Sequence, residues 1–207
     1  MARRSYHHGN LKQTLIEATL DLVEERGPQA FTLAEAAKRA KVSVAAPYRH
    51  FRSKQDLFVE IARQGFEMFA DLMEYAFESA NASPLAAFEA TGHAYLAFAR
   101  RYPGHYILMF ESGVPLNATP GLAHEAQRAK AVVQRAAERL VVGIPEDSRP
   151  PPTMVSDHIW AFSHGVVELF ARNPDGTRTL FSAEDLLETG MGVYLRGLGL
   201  LEMDTRK

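Results

Sequence analysis

Tyr48, Arg49 and His50 place a phenol, a guanidinium and an imidazole side by side in the stretch VSVAAPYRHF (42–51), and the ammonium of Lys54 follows shortly after. All four groups donate hydrogen bonds. Two are cationic and a third can be, so they suit the grip of phosphate oxygens better than the making or breaking of bonds. Val44 and Ala45, just ahead, are small and apolar. At helical spacing Val44, Ala45, Tyr48 and Arg49 share one face, and Pro47 and Phe51 share the opposite one. The outer face can come close to a base-pair edge. Methyls of Val44 and Ala45 can touch thymine methyl groups, and Arg49 either forks onto guanine O6 and N7 or clamps a phosphate.

Such a face is useful only if larger elements hold it. Asn10 with Gln13 makes a capping-box-like start, and Leu11, Leu15, Ala18 and Leu22 then line one side of a first helix that Gly27-Pro28 stops. Thr32 with Glu35 opens a short second helix with Leu33, Ala36 and Ala37 inward, and RAKVS ends it. Ser43 is the expected cap of a third helix running to about Phe51, in which Pro47 is the fourth helical residue and its ring fills the inward side. Two short helices joined by a turn of this size have the dimensions of a helix-turn-helix. Ser53 with Asp56 opens a long fourth helix to about Ala80. The N-termini at Thr32 and Ser53 offer backbone N–H groups and positive dipole ends to phosphate.

Charge agrees with this placement. The whole chain of 207 residues has a net charge of -2, yet residues 1–54 carry ten Lys/Arg against five acids, and the remainder is net acidic. A basic head on an acidic body points to a polyanion met by the head alone. With 46% hydrophobic residues the chain can bury a core. The absence of cysteine excludes disulfides and thiolate sites and suits a cytoplasmic protein. No apolar run approaches the length of a membrane span, and the charged start MARRSYHHGN is unlike a secretory signal. No cofactor or metal site is expected.

The stretch FTLAEAAKRAKVSVAAPYRHFRSKQDLF, preceded by a helix ending in ERG, resembles the DNA-binding domain of the TetR family of bacterial transcriptional regulators; the similarity covers roughly residues 8 to 58. It implies an all-α homodimer on double-stranded operator DNA, with three N-terminal helices on the operator, a fourth that relays, and a C-terminal domain that dimerises and binds a small effector. Residues 1–52 would be the DNA-binding domain and 53–207 the effector-binding and dimerisation domain. Carried over by position, Val44, Ala45, Ala46, Tyr48 and Arg49 lie at or near the bases. Thr32, Tyr48, His50 and Lys54 meet phosphates, and Ser43 joins the DNA-facing set. Arg3 and Arg4 belong, with His7 and His8, to an arm that touches DNA. Pro47 departs from the commoner large aliphatic at its position. YHHG and HIWAFSHG (158–165) further resemble a subgroup whose C-terminal domain carries a Trp…His-Gly signature.

Beyond the head, everything reads as helix. Pro84 opens a fifth, with Leu85, Phe88, Gly92, Tyr95 and Ala99 on one stripe. YPGHYILMF (102–110) makes a turn and a short apolar helix, an amphipathic helix runs to about Val142, and GIPEDSRPPP (143–152) is the clearest linker. Phe66, Met73, His93, Tyr106, Met109 and Phe110 are candidates to line a pocket for a small apolar or aromatic effector; plain core is the alternative for each. The helix from about Thr153 to Ala171 is apolar almost all round and so must be buried almost all round. Trp160, His164 and Val167 on it, with Leu186, Gly190, Val193 and Gly197 on the last helix, are the expected dimer interface, the glycines leaving room for a partner. The sequence therefore predicts a ligand-responsive DNA-binding repressor. A sequence-indifferent structural DNA binder is the alternative. No phosphate loop, nucleophile motif or paired metal ligands speak for an enzyme.

Overall fold

The computed structural model describes residues 11–80, 82–171 and 180–201. Among them every regular element is helical. The chain forms two compact units, one of residues 1–66 with 102–126, the other of residues 67–101 with 127–207. The first unit therefore adds 53–66 and 102–126 to the segment 1–52 expected to bind DNA.

In the first unit α1 (Leu11–Arg26) buries Leu15, Ile16, Ala18, Leu22 and Val23 and packs on α2 (Leu33–Arg39) and α5 (Pro103–Phe110). Gly27, at φ 78°, ends α1 in the left-handed region, where its N–H returns to the Val23 carbonyl at 2.8 Å. The capping box at α2 forms as the sequence predicts. Thr32 Oγ1 accepts from the Glu35 N–H at 3.2 Å, and the Glu35 carboxylate accepts the Thr32 N–H at 2.8 Å. The Thr32 N–H, with the Thr32 hydroxyl donating to the same carboxylate at 2.9 Å, holds the Glu35 carboxyl below its ordinary range. Ser53 caps α3 (Lys54–Ser79) through the Asp56 N–H at 3.0 Å. The Asp56 carboxylate accepts the Arg52 N–H and Nε and also a bond from the Ser53 hydroxyl, and these hold its carboxyl below the ordinary range.

The expected third helix differs. Residues 44 and 45 are turn and 46 is a bend, and the helical piece between α2 and α3 is a 3-10 turn at Pro47–Arg49. Proline explains it. Pro47 has no N–H to give the Ser43 carbonyl, and that carbonyl takes the Ala46 N–H instead at 2.9 Å. Arg49 to Ala46 and His50 to Pro47 continue the three-residue spacing, and Phe51 to Pro47 is the single four-residue bond.

In the second unit α4 (Pro84–Arg101), α7 (Pro152–Val166) and α8 (Ala183–Gly197) pack on one another. A π-turn at Val167–Ala171 extends α7. The Phe69 ring, from the part of α3 in this unit, meets Tyr95, Phe98 and Trp160 with centroids 4.9, 4.9 and 6.1 Å away. Ser182 and Asp185 form the expected capping box of α8. Residues 67–79 of α3 also join α6 (Pro120–Val141) through Arg128 to Asp71 and Arg135 to Glu74, at 2.6 and 2.7 Å. The segment 143–152 lies within this unit and folds on itself, since the Arg149 guanidinium donates to the Ile144 and Val142 carbonyls.

Candidate nucleic-acid interface

Pro47 and Phe51 are buried, as the two-faced reading of the stretch predicts. They fasten residues 43–50 to the unit, so a segment with too few backbone bonds to be stable alone is held by its side chains. Ser43, Val44, Ala45, Tyr48, Arg49 and His50 are all exposed, Val44 by 57% and Tyr48 by 60%. Among the described residues neither Tyr48 nor Arg49 has a side-chain partner. Ala46 is placed otherwise: it is 8% exposed and faces the core with Pro47.

Two of the expected phosphate contacts are already engaged. Thr32 is exposed, but its hydroxyl and its N–H both bond Glu35. Lys54 Nζ donates to the carbonyls of Pro28 and Phe31 at 3.1 and 2.9 Å and sits 5.0 and 5.3 Å from the centroids of Phe31 and Phe58. Those carbonyls belong to the loop between α1 and α2, so the ammonium ties that loop to the start of α3. In the same unit Arg39 forks onto Glu25 at 2.7 and 2.5 Å, and the guanidinium holds that carboxyl below its ordinary range. Arg3, Arg4, His7, His8 and Asn10 lie outside the described residues.

The α5 contact is close. Gly104 donates its N–H to Glu24 Oε1 at 3.0 Å, and a Cβ on Gly104 would come within 2.8 Å of the same oxygen. Beside it His105 is largely buried, and loss of water pushes its pKa down to about 4. Of the expected effector-pocket residues, Phe66, Tyr106, Met109 and Phe110 cluster in this unit. Phe110 meets Phe66 and Tyr106 with centroids 5.5 and 4.7 Å apart, and Met109 leaves no room for a side chain at Gly65.

Met73 and His93 fall in the second unit, and each lines a void there. Phe88, Gly92, Ile159, Ser163, Leu187 and Met191, with Glu89, His93 and Glu188, line a cavity of about 30 Å³ between α4, α7 and α8. That is room for about two waters. Met73, Thr91, Tyr95 and Trp160 line a second void that shares Phe88, Gly92, Ile159 and Ser163 with the first. The sequence reading missed Phe88, Ile159, Leu187 and Met191 as pocket residues; each lies on an apolar stripe that reads equally as core. His93 is exposed and bonded to Glu188 at 3.0 Å.

The expected dimer residues divide. Trp160 packs inward against Phe69 and Tyr95, His164 Nδ1 is bonded to the Tyr95 hydroxyl at 3.1 Å, and Val167 is fully buried. The space at Gly190 is taken within the chain, where a Cβ would overlap the Phe162 ring. Gly197 is open, Leu186 is half-buried and Val193 is 65% exposed. Phe162, Leu169 and Phe170 also stay exposed, so a single chain does not by itself cover α7 and its extension on every side.

No curated protein matches the sequence. Solved structures do. A protein of unknown function from Rhodococcus sp. RHA1 is 25% identical with TM-score 0.76, covering 95% of this chain and 99% of its own. The TetR family transcriptional regulator PfmR of Thermus thermophilus is 20% identical with TM-score 0.71, over 89% and 98%. AibR, solved with isovaleryl coenzyme A and operator DNA, is 17% identical with TM-score 0.69, over 88% and 97%, which shows a shared fold. The model of bacterial regulatory proteins of the tetR family matches residues 15–61, and that of the tetracyclin repressor-like C-terminal domain matches 88–194. The first spans the helices and turn that present the reading segment, and the second spans more than half of the chain: the protein belongs to the tetR family of transcriptional regulators.

Proposed function

We propose that this regulator is a cytoplasmic repressor that sits on a palindromic operator as a homodimer and leaves it when a small apolar effector occupies the second unit. The exposed face of Val44, Ala45, Tyr48, Arg49 and His50 carries the reading, because short apolar groups and unpaired donors stand together on a segment anchored by Pro47 and Phe51. Val44, Ala45 and Arg49 read base edges, and Ser43, Tyr48 and His50 meet phosphates. Ala46 supports them from behind, and Lys54 holds the α1–α2 loop in place. The exposed hydrocarbon of Phe162, Leu169, Phe170 and Val193 supplies the dimer contact, as the apolar core of an interface does. The effector enters the voids between α4, α7 and α8, which must widen to admit it. Ligand release of DNA requires that the effector favour the arrangement that fits the operator poorly. No catalytic step is part of this reading.

Selection of duplexes from a random library by the full-length protein tests it. A repressor retrieves a palindrome with half-sites about 34–36 Å apart and prefers it about 10³-fold over random DNA. Similar affinity for every duplex would make it a sequence-indifferent binder instead. On the selected duplex Arg49→Ala costs about 1–3 kcal/mol and relaxes one position per half-site. Equal loss on random DNA would make Arg49 a phosphate clamp. Apolar compounds that raise the melting temperature should also release the operator.

A further inference from the structure

Lys41 is the one non-glycine residue with positive φ among the described residues, at 56°. It follows α2 in a Schellman arrangement. The Val42 N–H donates to the Ala37 carbonyl at 3.0 Å, the Lys41 N–H donates to the Lys38 carbonyl at 3.1 Å, and Ala40 closes the helix at right-handed angles. Glycine is favoured at the position after such a cap, because a Cβ there crowds the neighbouring carbonyl. Gly27 ends α1 in the same left-handed region at no such cost. At α2 the chain accepts strain to keep a lysine. That side chain gives the fold nothing back: it is exposed and has no hydrogen bond or ion pair among the described residues.

Its surroundings indicate a use. Lys41 lines a groove with Leu22, Arg26, Glu35, Lys38 and Arg39. Arg39 is committed to Glu25, and Arg26 lies 3.7 Å from Glu35. Lys38 is exposed and attracted to Glu35 without a hydrogen bond or close ion pair, and Lys41 is an exposed cation with no partner among the described residues; both line a groove that adjoins, in sequence, the start of the segment at Ser43. A lysine there is a point charge on a flexible stem, which suits a phosphate and carries no base information.

We propose that Lys41, with Lys38 in the same groove, holds a backbone phosphate of the operator and extends the DNA contact beyond residues 43–50, and that its strained backbone is kept for this charge. The inference rests on those residues being the DNA-facing segment. Wild type, Lys41→Gly and Lys41→Arg are titrated between 50 and 200 mM KCl with the selected palindrome and with an unrelated duplex. Lys41→Gly relieves the strain and melts about 2–4 °C higher. It nevertheless binds both duplexes about tenfold more weakly at low salt, and its slope of log affinity on log salt is shallower by about 1.8 for two subunits. Lys41→Arg keeps the wild-type affinity and slope. Lys41→Gly binding as tightly as wild type overturns the proposal. So does weaker binding with an unchanged slope, which would assign the effect to the stiffness of the turn. A wild type that selects no duplex overturns the reading of the segment itself, before any variant is made, and the proposal with it.

Discussion

From Ser43 to His50 the exposed side chains are hydroxyl, methyl, phenol, guanidinium and imidazole, whereas from Phe162 to Phe170, with Val193 on α8, the exposed large side chains are hydrocarbon. As the proposed DNA contact, the first surface would gain by releasing counterions from a polyanion, so its bonds would weaken with salt. The second is poorly solvated alone and gains by leaving water, which added salt does not oppose. If the two surfaces serve as proposed, the protein should stay assembled at salt concentrations that strip it from DNA. Dimer contact and DNA contact are thus separable by ionic strength.

The largest effect comes from breaking the apolar side. Val193→Glu sets a carboxylate into the proposed interface, and a twofold contact would bring it near its own copy. Light scattering should show a monomer, and operator affinity should fall more than about 100-fold although residues 43–50 are untouched. A dimer that survives would move the interface elsewhere. Gly190 is a poor probe of the same contact, since a larger residue there would first displace Phe162 of its own chain.

Acid tests the reading side. His105 has a pKa of about 4 when folded and near 6.5 when exposed. The unfolded chain therefore binds the extra proton between those values. The stabilisation is complete above pH 6.5 and disappears as the pH falls toward 4, up to about 3 kcal/mol in all. Denaturant unfolding of wild type and His105→Gln at pH 7 and pH 4.5 reads it. Wild type should lose more stability than the variant, and parallel losses would show that the imidazole is not desolvated.

The smallest effect distinguishes holding from gripping within the reading unit. Lys54→Met keeps the stem against Phe31 and Phe58 but leaves the Pro28 and Phe31 carbonyls without their ammonium, a loss of about 1–2 kcal/mol in stability. The salt slope of DNA binding should stay as it was. A slope shallower by about one per subunit, with stability unchanged, would make Lys54 a phosphate contact after all.

The parts legible in advance were those encoded by neighbours in the chain. The caps at Thr32, Ser53 and Ser182 follow from a hydroxyl three residues ahead of an N–H, the stop at Gly27 from a backbone that only glycine adopts freely, and the inward pair Pro47 and Phe51 from spacing alone. The same local chemistry carried the family resemblance, because the reading segment is contiguous. Proline outweighs the helical spacing around it: one missing N–H is enough to reroute the Ser43 carbonyl and turn a helix into a 3-10 turn.

By itself the sequence determined an all-helical chain with a basic head suited to phosphate and an acidic body, since charge, hydropathy period and caps are properties of residues a turn or two apart. Only the tertiary structure decided that Ala46 faces inward, that Lys54 spends its donors on two carbonyls, that Phe162 fills the space over Gly190 and that Lys41 stands strained and unpaired. Each of those outcomes depends on which atoms arrive from distant parts of the chain. A side chain's type limits the bonds it can make, but the partners packed against it determine which of them it makes.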